Sequence, residues 1–120
     1  MLVVISPAKK LNMSIVQGLN ISEPYFKDNV DELVNIVRDL SSKELENLMD
    51  ISSSLAEVNK KRFKEFGNQQ KKAAAFVFAG DTYTGLSVEK LDKDDLDFAQ
   101  KHLRILSGLY GLLRPLDQIE

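Results

Sequence analysis

Seven polar residues of this sequence have the types and local spacing of a small anion- or nucleotide-binding pocket. Ser6 and Lys9 follow a short apolar run. A lysine beyond the end of a strand could meet a phosphate or, if desolvated, act as a base. Asp81 and Tyr83 lie between two glycines and supply a hydrogen-bond acceptor and a donor. The set is Ser6, Lys9, Asp81, Tyr83, Arg104, Ser107 and Arg114, and its catalytic candidates are Lys9, Asp81 and Tyr83.

Two members of this set, Arg104 and Arg114, flank the glycines Gly108 and Gly111. Arginine offers a planar fork of donors that suits phosphate or carboxylate groups. Each candidate also has a purely structural interpretation: a solvated lysine after a proline turn, a tight turn with an aspartate cap, or arginines that brace a core. We expect a ligand pocket only where the structure places these residues in one cleft.

A second constellation, over residues 45–59, has the spacing of a helix-hairpin-helix. A short helix is followed by a tight turn around Ile51 and by small residues that begin another helix. In DNA-binding hairpins the backbone N–H groups at that second N-terminus hold a phosphate. Asp50 and Ser52 occupy positions where the pattern prefers glycine, and their side chains hinder that approach. The alternative is an ordinary corner between two helices with Asp50 or Ser52 as N-cap.

Basic residues follow the proposed hairpin. From Asn59 to Lys72 there are six basic residues and one acidic residue, a local charge of +5 in a chain whose formal net charge is −2. Such a segment indicates either an anionic partner or a solvated helix face. The predicted DNA-binding residues are Ser52, Ser53, Asn59, Lys60, Lys61, Arg62 and Lys64.

Composition excludes several classes of function. The chain has 120 residues, of which 43% are hydrophobic and 28% charged, so it is typical of a globular domain or part of one. The absence of cysteine and the single histidine, His102, exclude disulfides, thiol catalysis and a multi-histidine metal site. We expect no metal and no cofactor.

No signal peptide or membrane span is predicted, so we expect a cytoplasmic protein without a membrane partner. The oligomeric state is not predicted.

The elements that must position these residues indicate an α/β or α+β fold, with a partial sheet, covering helices and an embedded hairpin. Buried strands are predicted over residues 2–6 and 73–79, and an irregular strand over 105–113. Helices are predicted over 28–40, 42–48, 53–66 and about 92–103. Ser41 with Glu44, and Asp92 with Asp95, have the spacing of capping boxes. So few strands indicate an incomplete chain.

Four blocks of sequence resemble the YaaA family of peroxide-stress proteins. They cover residues 5–9, 48–63, 80–86 and 98–117, and the last is long and specific. The resemblance implies that residues 1–120 are the N-terminal portion of a single, longer α/β domain. It also implies a positively charged cleft, a helix-hairpin-helix at about residues 42–66, and a role in limiting peroxide damage that is associated with lower intracellular free iron.

The combined prediction is a peroxide stress response protein that binds DNA, duplex or irregular, through the hairpin and the basic helix. The alternative is an enzyme or a small-anion or nucleotide-binding protein with a pocket of Lys9, Asp81, Tyr83 and Arg114. A third interpretation is a shortened product without activity of its own. No reaction is assigned, and the residues favour a binding protein over an enzyme.

Overall fold

Six helices and five short strands make up the fold. The computed structural model describes residues 1–120. The strands are β1 (Val3–Ile5), β2 (Lys72–Ala73), β3 (Leu103–Ser107), β4 (Gly111–Leu113) and β5 (Gln118–Ile119). The helices are α1 (Lys27–Arg38), α2 (Ser42–Met49), α3 (Ser53–Lys64), α4 (Ala74–Val77), α5 (Asp81–Leu86) and α6 (Lys93–His102), with a 3₁₀ turn at Val88–Lys90. The predicted α/β or α+β class is confirmed. None of the helices combines the length and the apolar character that a membrane span requires.

Two compact units divide the chain. The first comprises Met1–Lys27 and Gln70–Ile119, and the second comprises Asp28–Gln69 with Glu120. In the first unit, three strands form a sheet in the order β1-β3-β4, with β1 parallel to β3 and β4 antiparallel to it. Strands β2 and β5 form a separate antiparallel pair. Ile105 and Leu113, which face each other across β3 and β4, are fully buried.

The N-terminal strand forms where it was predicted, but the prediction that it is buried is wrong. Strand β1 lies at the edge of its sheet, and the side chains of Val3 and Val4 are 46% and 52% exposed. A run of β-branched apolar residues favours a strand, whereas its burial depends on which elements cover the two faces. Leu2 is also exposed, so this edge presents a row of uncovered apolar side chains.

The second predicted strand is mostly helical. Only Ala73 of residues 73–79 belongs to a strand, and Ala74–Val77 forms one buried helical turn. A short apolar run without alternation is compatible with either structure, and alanine has the highest helix propensity. The helix α5, for which no element is predicted from the sequence, is too short to show a period.

The predicted irregular strand over residues 105–113 is a hairpin of β3 and β4. The hydroxyl oxygen of Ser107 accepts hydrogen bonds from the backbone N–H groups of Leu109 at 3.3 Å and Tyr110 at 3.1 Å. Gly111 then adopts a left-handed conformation with φ 72°. The glycines therefore mark the turn between two strands.

The second unit consists of α1, α2 and α3, whose bounds agree with the predicted helices to within two residues. Val30, Val34, Leu45 and Ala56 are buried. Both predicted capping boxes are confirmed, that of Ser41 and Glu44 at the start of α2 and that of Asp92 and Asp95 at the start of α6. These helices therefore begin where local side-chain to backbone hydrogen bonds favour a start.

Candidate functional site

One residue of the turn between α2 and α3 has the left-handed backbone conformation that favours glycine. Asp50 ends α2 in a left-handed conformation, with φ 52° and ψ 57°, and its N–H donates a hydrogen bond to the carbonyl oxygen of Glu46. The N–H of Ile51 donates to the same oxygen at 3.2 Å. Only glycine adopts this conformation without steric cost. The first position at which the hairpin pattern prefers glycine therefore has the corresponding backbone geometry, although it carries an exposed carboxylate.

Ser52 is the N-cap of α3. Its hydroxyl oxygen accepts a hydrogen bond from the N–H of Leu55 at 3.3 Å and lies 3.1 Å from the hydroxyl of Ser54. The N–H groups of Ser53 and Ser54 have no acceptor within the helix, as for the first residues of any α-helix. Both residues are exposed. This N-terminus therefore presents donors and the positive end of the helix dipole to solvent.

The basic residues of α3 fall into two groups. The Lys60 ammonium donates a hydrogen bond of 2.6 Å to the carbonyl oxygen of Leu40, and the Asn59 amide donates to the carbonyl oxygen of Leu55 at 2.9 Å. Lys60 therefore connects α3 to the segment between α1 and α2, whereas the Asn59 hydrogen bond lies within α3. The other predicted DNA-binding cations of α3 are exposed and take part in neither ion pair of the structure: Lys61, Arg62 and Lys64.

Two residues of the predicted pocket meet in the first unit. The buried Tyr83 side chain, 6% exposed, donates a hydrogen bond from its hydroxyl to the carbonyl oxygen of Ser6 at 2.6 Å. Burial raises the pKa of Tyr83 to about 12. The neighbouring Lys9 and Asp81 are exposed.

The two arginines of the predicted pocket have intramolecular partners. The Arg104 Nη1 donates to the carbonyl oxygens of Gln100 and Leu103, both at 2.8 Å. The Arg114 guanidinium donates to Asp117 at 3.0 Å and to the carbonyl oxygen of Glu23 at 2.8 Å. Each arginine side chain therefore uses donors on hydrogen bonds within the chain rather than on a ligand.

The register of the strands places Arg104 and Arg114 away from the other residues of the predicted pocket. Parallel pairing of Ile5 with Ile105 places Ser6 and Ser107 at the carboxyl edge of β1 and β3. Arg104 lies three residues earlier in β3, or roughly 10 Å along the strand. Strand β4 runs back antiparallel, so Arg114 follows it toward that same amino end. The structure brings Ser6 and Tyr83 together and holds both arginines farther along the sheet.

Sequence reasoning missed two buried charged residues. Asp117 is fully buried, and its only sequence signal is its position three residues after Arg114. Lys72 is 6% exposed although it belongs to the basic segment, and its ammonium donates to the carbonyl oxygen of Asn12 at 2.9 Å. Burial lowers the pKa of Lys72. Nothing in the local sequence distinguishes Lys72 from the exposed Lys71.

Comparison with known families gives a match along the whole chain. A family model described as "Peroxide stress protein YaaA" matches residues 1–120. The chain belongs to the YaaA family of peroxide stress proteins.

Relatives named UPF0246 proteins are similar to this YaaA-family chain. One from Ruegeria pomeroyi is 48% identical over 124 residues, which is 100% of this chain and 48% of the relative. One from Jannaschia sp. is 51% identical over 121 residues, covering 99% of this chain and 46% of the relative. One from Rickettsia felis is 44% identical over 121 residues, covering 100% of this chain and 49% of the relative. The chain spans about half the length of the curated relatives it matches.

Two surfaces of this YaaA-family chain offer groups to a ligand. The first is the start of α3 together with the exposed cations near its end. The second is the neighbourhood of Ser6 and Tyr83 with the exposed Lys9 and Asp81. His102 ends α6, as expected from sequence, and its ring stacks on Phe98 with centroids 4.3 Å apart.

Proposed function

We propose that this chain acts in the peroxide stress response by binding DNA through a helix-hairpin-helix formed by α2, the Asp50–Ser52 turn and α3. The main support for this proposal is that α3 combines an exposed N-terminus with three exposed cations that have no acidic partner: Lys61, Arg62 and Lys64. Backbone donors at the N-terminus would hold one phosphate, and the cations would contact its neighbours.

The length of α3 suits this division of contacts. Ser53 and Lys61 are eight residues apart, which corresponds to about 12 Å along a helix axis. One strand of B-form DNA carries a charge about every 3.4 Å of axis, so about three to four phosphates occupy that length. Lys61 and Lys64 have i,i+3 spacing and share a face of α3. The helix can therefore contact several phosphates of one strand.

Two carboxylates oppose the proposed binding. Asp50 precedes the N-terminus of α3, and Glu57 lies between that end and the cations; both are exposed. Each places a negative charge near the path of a phosphate backbone, and water and salt screen the repulsion only in part. The cations of α3 must therefore supply the attraction, so the affinity should fall steeply as salt concentration rises.

The remaining parts of the proposal rest on family resemblance. It implies an association with lower intracellular free iron, and a cytoplasmic location is the setting that the sequence favours. Neither adds a residue to the interface described above.

Fluorescence anisotropy of a labelled DNA duplex at several salt concentrations tests the proposal. We compare the natural chain with the triple variant Lys61→Ala/Arg62→Ala/Lys64→Ala. The control is Lys90→Ala/Lys93→Ala/Lys101→Ala, which removes three exposed charges elsewhere. The first variant should flatten the log–log salt dependence by about 0.9 for each phosphate that the protein no longer neutralises. Equal slopes for the two variants, or no binding by the folded natural chain, would reject the assignment.

A second variant tests the helix N-terminus by itself. Asp50→Gly removes the opposing carboxylate and places glycine at a position with φ 52°. We expect tighter DNA binding and no loss of stability. A bubble or junction DNA measured beside the duplex shows whether irregular structure is preferred. Unchanged affinity would place the phosphate away from this turn.

The alternative function is a small-anion or nucleotide site at Lys9, Asp81, Tyr83 and Arg114. Its support is the contact between Ser6 and Tyr83 beside the exposed Lys9 and Asp81. Against it, the Tyr83 hydroxyl and the Arg114 guanidinium already have internal acceptors. We therefore favour DNA binding. Saturable binding of a nucleotide that Lys9→Ala abolishes would reverse this preference.

A further inference from the structure

A cavity of about 190 Å³ lies in the first unit. Its wall consists of apolar side chains from the irregular segment 15–21 and Ala73, together with the polar side chains of Gln70, Lys71, Lys72 and Gln118. At about 30 Å³ per water molecule, this volume corresponds to about six waters. The cavity is therefore of a size for a small metabolite, and its wall combines apolar and cationic side chains.

Lys72 is the unusual group in this wall. It is 6% exposed, and one hydrogen bond of 2.9 Å to the carbonyl oxygen of Asn12 is its single polar contact. An ammonium group carries three donors, so two are left over. The two ion pairs of the structure involve other residues, Lys43 with Glu46 and Arg114 with Asp117. Buried charges are normally paired, and a lysine without a counter-charge is costly.

The other polar side chains of the wall do not compensate this charge. The Gln70 amide donates to the carbonyl oxygen of Met13 at 3.1 Å, and the Gln118 amide donates to a carboxylate oxygen of Glu23. No aspartate or glutamate lines the cavity. Burial also lowers the pKa of Lys72, as expected for an ammonium without a nearby carboxylate. An anionic ligand would supply the missing partner.

We propose that this cavity binds a small monocarboxylate, with its carboxylate paired to the ammonium of Lys72 and its short apolar tail against the wall formed by residues 15–21. A charge-assisted hydrogen bond to a carboxylate would use the free donors of Lys72. An inorganic phosphate fits less well, because it has no apolar part and would leave charged oxygens against aliphatic side chains. The site involves none of the residues proposed to bind DNA.

Calorimetric titration of the full chain with butyrate tests the site, with n-butylamine and inorganic phosphate as comparison probes. Butyrate should bind saturably, and the amine, with a similar tail and the opposite charge, should not. Lys72→Met keeps the length of the side chain and removes the ammonium, so it should weaken butyrate binding about tenfold or more. The matched control Lys101→Met should change the affinity by less than about threefold, since Lys101 is exposed and does not line the cavity.

A second measurement decides the question if Lys72→Met does not fold. Acetylation of individual lysines in the natural chain is followed by peptide mass spectrometry, with and without butyrate. Butyrate should slow acetylation of Lys72 several-fold and leave the exposed Lys9 unchanged. The proposal is overturned if butyrate does not bind, if Lys72→Met binds it as well as the natural chain, if phosphate binds more tightly, or if Lys72 is not protected.

Discussion

Arg114 and Asp117 form an ion pair in which guanidinium Nη2 lies 2.9 Å from carboxylate oxygen Oδ1. Asp117 is fully buried. Its oxygens also accept hydrogen bonds from the Ser22 hydroxyl at 2.6 Å and from the backbone N–H of Arg114 at 2.8 Å. Because donors from two distant stretches of sequence converge on this carboxylate, Asp117 connects the segment at Ser22 with the segment after β4.

We expect Asp117→Asn to destabilise the chain by about 3 kcal/mol, as is typical when one partner of a buried ion pair is removed. The asparagine amide would present N–H groups to donors, and the Arg114 guanidinium would lose its counter-charge. Urea unfolding followed by circular dichroism measures the effect. Asp94→Asn is the control, because Asp94 is exposed. Equal free energies of unfolding for the two variants would contradict the described network.

The buried hydroxyl of Tyr83 predicts an unusual titration. Its pKa is raised from 10.0 to about 12, so the folded state favours the neutral phenol. The stability linked to this group is fully present below pH 10.0 and is lost as the pH rises through about 12. Absorbance of the tyrosinate ion should therefore show a step near pH 12 that is missing from Tyr83→Phe.

The same variant tests the hydrogen bond to Ser6. Tyr83→Phe keeps the ring and removes the donor, so the free energy of unfolding should fall by about 1 kcal/mol. Circular dichroism at each pH controls for unfolding. The comparison also locates the tyrosinate step of Tyr83, which is the step that the natural chain shows and Tyr83→Phe lacks. If this step lies near pH 10.0 while the chain is still folded, Tyr83 is more accessible to water than in the structure.

The helices of the second unit could be predicted because their determinants are local. Amphipathic spacing is read over three or four residues, and the capping box of Ser41 and Glu44 lies within one turn. The apolar run over 73–79 lacks such determinants, because a buried segment is apolar whether it forms a strand or a helix. The exposed β1 shows the same limit, because a strand pattern does not specify which element covers it.

In the candidate sites, too, local interactions could be predicted and contacts between distant residues could not. The N-cap role of Ser52 is local and was one of the two predicted alternatives. The partners of Lys72 and Asp117 are not local: Asn12 is 60 residues from Lys72, and Ser22 is 95 residues from Asp117. Residues 12–24 have no period, so their packing against later segments could not be predicted from the sequence.

The capping box of α2 predicts an acid-sensitive contribution to stability. The Glu44 pKa is lowered by hydrogen bonds from Ser41, first from its backbone and then from its side chain. This contribution is present above the ordinary value of 4.5 and is lost as the pH falls through the lower folded value. The natural chain should be more stable than Glu44→Gln near neutral pH, and the difference should shrink in acid.

Thermal unfolding across this pH range measures the difference. The matched background is Ser41→Ala, which removes the side-chain half of the box but leaves the backbone donor. In that background, Glu44→Gln should have a smaller and less pH-dependent effect. Equal effects in both backgrounds would show that the two side chains do not act together.

The turn between β3 and β4 gives a prediction with an internal control. Gly111 has φ 72°, and a Cβ atom there would lie 2.9 Å from the Phe26 ring. Gly111→Ala should cost about 1 to 2 kcal/mol from the left-handed backbone alone, and displacement of the Phe26 ring adds to that cost. Gly108 lies in the same turn without a left-handed φ, and a Cβ atom on it would meet nothing within 4 Å. Gly108→Ala should therefore be neutral or slightly stabilising. Chemical denaturation of both variants measures the contrast, and equal destabilisation at the two positions would mean that the hairpin adopts another turn in solution.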